Sequence, residues 1–135
     1  MEKPGIAISR LAGALGAEIS GVNLAEAGYD NIYPDIHQAF LDHAVLVVRK
    51  QDLKPDQLVT FSKKFGTLES HVLEAFNLQE TPEVLMISNV KEDGKPIGAI
   101  NAGQYWHSDL SYMQHPTQAS LLHAQKVPSY GGDTM

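Results

Sequence analysis

Apolar residues near the start of the chain follow two successive patterns. Residues 5–24 combine short apolar alternation with scattered glycines, which is typical of short strands joined by tight turns. From about Asp30 onward the spacing becomes helical, and Pro34 falls where a first helical turn tolerates it. The sequence therefore predicts short strands, followed by a helix over 31–44 whose apolar face contains Ile32, Ile36, Ala39, Phe40 and Ala44.

A strand and a second helix are predicted next. The run AVLVV at 44–48 is short, continuous and rich in β-branched residues, which favours a buried strand. Residues 54–66 then have helical spacing, with a proline near the start and a glycine at the end. Because Leu58, Phe61 and Phe65 fall on one face, we expect this helix to pack on the preceding strand.

The pattern of the remaining chain predicts mostly β structure. Strand-length segments occupy 83–90, 105–112 and 119–127, while residues 91–98 are expected to form a turn or loop. We expect Trp106, inside the second of these segments, to lie in the core. The predicted fold class is thus α+β to mostly β, with its helices early and its strands gathering late.

Length and composition indicate one modest globular domain. The chain has 135 residues, of which 43% are hydrophobic and 19% charged. No apolar run approaches the roughly 20 residues needed to cross a bilayer, and the first ten residues do not resemble a secretory signal. The absence of cysteine excludes disulfides, thiolate metal sites and a cysteine nucleophile. We therefore expect a cytoplasmic protein with no membrane partner.

The charge distribution gives no sign of nucleic-acid binding. Sixteen acidic residues exceed ten basic ones, for a net charge of −6, and there is no dense basic cluster. A small molecule or another protein is the better candidate partner.

His107 and Asp109 are the pair with the clearest chemical potential. On a strand, side chains at i and i+2 project from the same face, so these two would lie together. An imidazole nitrogen and a carboxylate oxygen suit Fe(II), Mn(II) or Zn(II), and one further histidine would complete a facial triad. The alternative is a surface strand on which a histidine and an aspartate share a hydrogen bond.

Two motifs place this pair in a wider context. The chain reads Trp-His-Ser-Asp at 106–109 and Gly-Gly-Asp-Thr at 131–134, separated by a strand-length segment and a proline turn. In this it resembles the taurine dioxygenase / 2,4-dichlorophenoxyacetate dioxygenase (TauD/TfdA) family of Fe(II)- and 2-oxoglutarate-dependent enzymes. The segments LGAEISGVNL, HAVLVVRKQ, FSKKFGTLE and ISNVKEDGK support the resemblance over most of the chain.

The resemblance implies a fold and a set of site residues. The fold would be part of a double-stranded β-helix (a jelly roll of the clavaminate synthase-like type) with flanking N-terminal helices. His107 and Asp109 would be two of three Fe(II) ligands, and the Thr134 hydroxyl would bind a carboxylate of 2-oxoglutarate. His71 matches a position where taurine dioxygenase places a histidine against its substrate. Asn101, close in sequence to the proposed ligands, is a further candidate for substrate binding.

The resemblance also implies a reaction. O2 and 2-oxoglutarate would be consumed, succinate and CO2 released, and a small, anionic, sulfonate- or aryloxyacid-like substrate hydroxylated. Two positions depart from taurine dioxygenase, which has a tyrosine where this chain has Glu74 and an asparagine where it has Gly103. These departures argue against taurine itself.

The same resemblance bears on domain organisation. We expect residues 1–135 to be the N-terminal portion of a dioxygenase domain whose C-terminal half is absent. That half would carry the third ligand, a histidine, and an arginine that pairs with 2-oxoglutarate, so the chain alone is expected to be incompetent. Strands without neighbours also favour a homo-oligomer. The alternatives are a non-catalytic association module on the same fold, and a cupin-like metal module that uses His107, Asp109 and His123.

Overall fold

The fold is built around a small sheet near the start of the chain. In this computed structural model the described residues are 5–26, 28–70, 74–100 and 102–132. Strand β1 (Ala7–Arg10) pairs antiparallel with β2 (Ala17–Ser20), and β2 pairs in parallel with β3 (Leu46–Val48). The three-stranded sheet therefore has β2 at its centre.

Helix α1 (Tyr33–His43) connects the two parallel strands, as the helical spacing predicts. Parallel neighbours require a crossover because a tight hairpin reverses chain direction. Two backbone hydrogen bonds of 2.9 Å join the start of β2 to the end of the crossover. They run from Gly16 N–H to His43 O and from Ala17 N–H to Val45 O. Ile36 of α1 is buried in one apolar cluster with Ile19 of β2, so the helix covers the sheet.

The hydrophobic core lies between the sheet and the helices. Ile19 of β2 and Ile36 of α1 are its most deeply buried large side chains, 1% and 2% exposed respectively. The core cluster consists of Ile19, Leu24, Ile32, Ile36, Ala39, Leu53 and Phe61. Every one of these residues precedes position 62, so the core belongs to the first half of the chain.

Helix α2 (Pro55–Ser62) confirms the second predicted helix and is tied to the loop after β2. The Gln57 side chain makes both connections: Oε1 accepts from Lys54 N–H at 2.8 Å, and Nε2 donates to Ala25 O at 2.9 Å. One side chain thus satisfies an otherwise unpaired amide at the helix start and fixes the helix to the rest of the fold.

An aromatic cluster centred on Phe65 joins the two helices. The Phe65 ring makes edge-to-face contacts with Tyr33, Phe40 and Phe61, at centroid distances of 5.4, 5.9 and 5.7 Å. These are the distances at which aromatic pairs attract beyond simple burial of area. Phe65 follows the end of α2 at Ser62 and connects Phe61 of this helix to the α1 rings, whereas the expected packing of the helix on the preceding strand stays a prediction.

The segment 83–90 does not form the regular strand that its pattern predicts. Only isolated bridges occur there, from Leu85 to Asn77 and from Ile87 to Ala99. Alternation determines which face a residue occupies but does not supply the neighbouring strand whose hydrogen bonds define a ladder. The prediction was wrong for that reason.

Residues 91–98, expected to be a turn or loop, contain a small hairpin. Strands β4 (Lys91–Glu92) and β5 (Lys95–Pro96) are joined by Asp93 and Gly94, whose φ angles are +49° and +76°. Positive φ at both central residues is the geometry for which the Asp-Gly pair is favoured in two-residue hairpins.

The prediction of strands at 105–112 and 119–127 is also wrong. Both segments lack regular strands within the described residues, and Leu110 has a φ of +48° that ends any extended run through the first segment. Trp106 is 84% exposed, so its predicted core position is wrong too. Small sheets and helices together support an α+β description, whereas the double-stranded β-helix stays a prediction.

The Phe65 cluster makes a testable contribution to stability. Phe65→Ala should lower the free energy of unfolding by roughly 3 kcal/mol, because it removes three aromatic contacts and leaves a cavity. Urea unfolding followed by far-UV circular dichroism measures this change. Tyr112→Ala, which truncates a 74% exposed ring, is the control and should change stability by less than about 0.5 kcal/mol. Equal effects of the two substitutions would contradict the role assigned to Phe65.

Candidate metal centre

The His107 ring is held in one tautomer by its own backbone. Its Nδ1 lies 2.6 Å from Tyr105 O. A carbonyl oxygen can only accept a hydrogen bond, so we assign the proton to Nδ1. In the neutral ring this leaves the Nε2 lone pair free to bind an electrophile, which is the arrangement found in metal-ligating histidines.

The Asp109 carboxylate presents its two oxygens to different partners. Oδ1 lies 3.2 Å from His107 Nε2, and Oδ2 accepts a hydrogen bond of 2.8 Å from Ser120 Oγ. The predicted proximity of His107 and Asp109 is therefore present, although a bent segment and not a strand brings them together. Their role as metal ligands stays a prediction.

The contact between Nε2 and Oδ1 is attractive when the two atoms share a cation. With the proton on Nδ1, the His107 lone pair faces a carboxylate oxygen, and two acceptors at 3.2 Å repel each other. A proton on Nε2 or a metal ion between the atoms converts the contact into an attraction. The two side chains are 53% and 57% exposed, so an ion can reach them directly from solvent.

The separation of these two atoms suits adjacent ligands of one metal ion. Ligand distances near 2.1 Å and an angle near 90° at the metal imply a separation of about 3.0 Å between donors. The observed 3.2 Å lies close to that value. The residues present therefore fit a divalent ion, but they supply only two ligands. In the part of the chain that the structure describes, no group of three His, Asp or Glu side chains is placed to hold a metal.

His123 does not complete the site, contrary to the cupin-like alternative. Its Nδ1 accepts a hydrogen bond of 2.8 Å from Gln125 Nε2, and its Nε2 lies 3.1 Å from Gln51 O. Since the carbonyl can only accept, Nε2 carries the proton, and both ring nitrogens are engaged. His123 is thus a structural residue in this fold.

The segment 121–125 links the candidate site to the core. Leu121 packs against the hydrophobic core, and His123 is bonded to the backbone of Gln51. Leu121 and His123 are half-buried, whereas Leu122 between them is 79% exposed. These residues belong to no regular strand.

Several predicted site residues lie outside the described part of the chain. These are His71 and Asn101, proposed for substrate binding, and Thr134, proposed for 2-oxoglutarate. Glu74 is described and exposed, at the start of the short 3-10 helix Glu74–Phe76.

Ser120 was not predicted from the sequence. It lies eleven residues beyond Asp109, and no short-range motif connects the two positions. A serine near a proline turn would ordinarily be assigned to the turn itself. Only the folded chain shows that its hydroxyl reaches the carboxylate.

Comparison with known proteins identifies the family. The profile of the taurine catabolism dioxygenase TauD, TfdA family matches residues 7–135. The chain belongs to this family. The (S)-phenoxypropionate/alpha-ketoglutarate-dioxygenase of Delftia acidovorans is 34% identical over 131 residues, which cover 89% of this chain and 42% of that protein. The alpha-ketoglutarate-dependent 2,4-dichlorophenoxyacetate dioxygenase of Cupriavidus pinatubonensis is also 34% identical, over 87% of this chain and 45% of that protein.

Solved structures agree with this assignment. A crystal structure of a taurine dioxygenase from Burkholderia xenovorans matches with a TM-score of 0.53 and 30% identity, over 61% of this chain and 28% of that one. The chain spans less than half the length of the curated relatives named here, 42% and 45%. No helix among the described residues is long and apolar enough to cross a membrane.

Removal of the His123 ring separates its structural role from a metal-binding one. His123→Ala should lower the free energy of unfolding by about 1–3 kcal/mol, because Gln51 O loses its partly buried donor. Urea unfolding measures this loss, and calorimetric titration with Co(II) should show unchanged affinity. His115→Ala, an exposed histidine of the same region, is the control for both measurements. Loss of Co(II) binding in His123→Ala would instead support the cupin-like arrangement.

Proposed function

We propose that the chain forms part of an Fe(II)- and 2-oxoglutarate-dependent dioxygenase that hydroxylates a small anionic organic substrate. The observation that carries this proposal is the contact of 3.2 Å between His107 Nε2 and Asp109 Oδ1, a separation that fits two adjacent ligands of one divalent ion. Membership of the TauD/TfdA family supports the proposal, since relatives at 34% identity carry alpha-ketoglutarate (2-oxoglutarate) dioxygenase in their names.

In this proposal His107 Nε2 and Asp109 Oδ1 hold the metal. Bound Fe(II) would supply the redox chemistry that couples O2 to the decarboxylation of 2-oxoglutarate, giving succinate and CO2. The chain's own residues orient the site. Tyr105 O keeps the His107 proton on Nδ1, and Ser120 Oγ restrains the second carboxylate oxygen. Thr134 is the proposed contact for a carboxylate of 2-oxoglutarate.

An aryloxyacid is the substrate class that the relatives favour. Two of them are named for phenoxypropionate and 2,4-dichlorophenoxyacetate, and another, 29% identical, is named an alkylsulfatase. Phenoxypropionate, 2,4-dichlorophenoxyacetate and an alkyl sulfate each combine an organic group with an anionic head. We propose that His71 contacts the anionic head and that Asn101 lines the same pocket.

The proposed domain organisation explains why the described ligand set is incomplete. Residues 1–135 would form the N-terminal portion of a jelly-roll dioxygenase domain in the cytoplasm. A histidine and an arginine in the C-terminal half would then supply the third metal ligand and the partner of 2-oxoglutarate. Under this proposal the isolated chain binds a divalent ion weakly and does not turn over.

The metal site can be tested on the 135-residue chain directly. Titration with Co(II), followed by calorimetry and by visible absorption of the bound ion, should show one site that is lost in His107→Ala. The matched control is His115→Ala, which removes another exposed histidine from the same stretch and should bind Co(II) normally. Equal binding by wild type and His107→Ala would reject the proposed site.

Turnover tests the proposed organisation separately from metal binding. With Fe(II), ascorbate, O2, 2-oxoglutarate and an aryloxyacetic acid, the 135-residue chain should release no succinate above the metal-only background, because the expected third ligand and arginine would lie in the C-terminal half. Chromatographic measurement of succinate provides the result. Turnover by a species with an intact mass of 14.7 kDa would show that the chain is competent and the organisation wrong.

A second candidate, self-association, is favoured by exposed apolar rings. Trp106 and Tyr130 are 84% and 96% exposed, and Leu122 and Val127 are nearly as accessible. We propose that the chain forms a homo-oligomer through these exposed apolar side chains. Light scattering coupled to size-exclusion chromatography should give a mass above 14.7 kDa. Trp106→Ser should lower this mass. A wild-type chain that is monomeric at all concentrations would contradict the proposal.

A further inference from the structure

The hydrogen bond from Ser120 to Asp109 has a consequence for how the carboxylate can bind a metal. Ser120 Oγ donates to Oδ2 at 2.8 Å, while Oδ1 is the oxygen that faces His107 Nε2 at 3.2 Å. The two oxygens are therefore not equivalent. One is engaged by the protein, and the other points to where a shared cation would lie.

We propose that Ser120 is a positioning residue that makes Asp109 a one-oxygen ligand of the metal held with His107. This inference rests on the proposed function, because it assumes that the two residues bind a divalent ion. A carboxylate can bind a metal through one oxygen or through both. The hydroxyl of Ser120 favours the first mode, because its hydrogen bond holds Oδ2 and reduces the negative charge on that oxygen, which leaves Oδ1 as the stronger ligand.

The position of Ser120 in the chain explains how an exposed serine can restrain a ligand. Leu121, the next residue, packs against the hydrophobic core, and His123 is bonded to Gln51 O at 3.1 Å. Both contacts limit the freedom of the segment that carries Ser120. The hydrogen bond to Oδ2 then transmits this restraint to Asp109, which lies on an otherwise exposed bend. Outer contacts of this kind tune metal affinity without touching the metal.

One-oxygen binding also leaves coordination positions free. His107 and Asp109 would supply one ligand atom each, which would leave the other coordination positions of a bound divalent ion free for further ligands. Binding through both oxygens of Asp109 would remove one of these positions. Ser120 would thus preserve the open coordination that the proposed chemistry requires.

The test compares Ser120→Ala, Ser120→Thr and Ser108→Ala in the 135-residue chain. Ser108, an exposed serine between the two proposed ligands, is the matched control. Loss of the hydroxyl should weaken Co(II) binding by about 10- to 100-fold, the range typical for outer-shell partners of metal ligands. It should also change the visible absorption of bound Co(II), since a second carboxylate oxygen alters the coordination number. Ser120→Thr keeps a hydroxyl and should restore both values.

The possible outcomes separate this inference from the proposed function. Absence of Co(II) binding by the wild-type chain would overturn both. Wild-type binding that is lost in His107→Ala, with unchanged affinity and absorption in Ser120→Ala, would overturn the role of Ser120 and leave the metal site standing. A loss in Ser108→Ala as large as that in Ser120→Ala would also overturn it. Because Ser120 is exposed, its truncation should leave the far-UV circular dichroism spectrum and the unfolding midpoint unchanged.

Discussion

The packing of α1 on the parallel pair β2–β3 is the constraint on which the rest of this structure depends. Parallel strands cannot be adjacent without a crossover, and the crossover is stable only if its apolar face is covered. Ile19 and Ile36 meet this requirement and are almost completely buried. The α2 helix and the Phe65 cluster then close the other side of the same core.

Gln51 connects this core to the segment 121–125. Its side chain accepts from Leu24 N–H and donates to Val22 O and Arg49 O, at distances of 2.8 to 3.1 Å. Its backbone oxygen contacts His123, which is 72 residues away in sequence. A single residue after β3 therefore ties together the loop after β2, the end of the sheet and the segment next to the candidate site.

The candidate site is placed by a short series of contacts that starts from this core. Leu121 and His123 anchor their segment, Ser120 holds Asp109, and Asp109 faces His107. No step in the series belongs to a helix or a regular strand. The side chains of His107 and Asp109 are 53% and 57% exposed, and the candidate site is incomplete among the described residues.

Local sequence patterns correctly predicted the elements that depend on residues close together in the sequence. Helical spacing with early prolines gave α1 and α2, and the Trp-His-Ser-Asp motif identified His107 and Asp109 and pointed to the family that comparison confirms. The same patterns failed for 83–90, 105–112 and 119–127, because a strand exists only where another strand accepts its hydrogen bonds. The contact between Ser120 and Asp109 and the engagement of both His123 nitrogens were decided by tertiary structure alone. The contacts of Ser120 with Asp109 and of His123 with Gln51 join residues that are far apart in the sequence and meet only because the chain folds back. The periodicity of apolar residues does not predict such contacts.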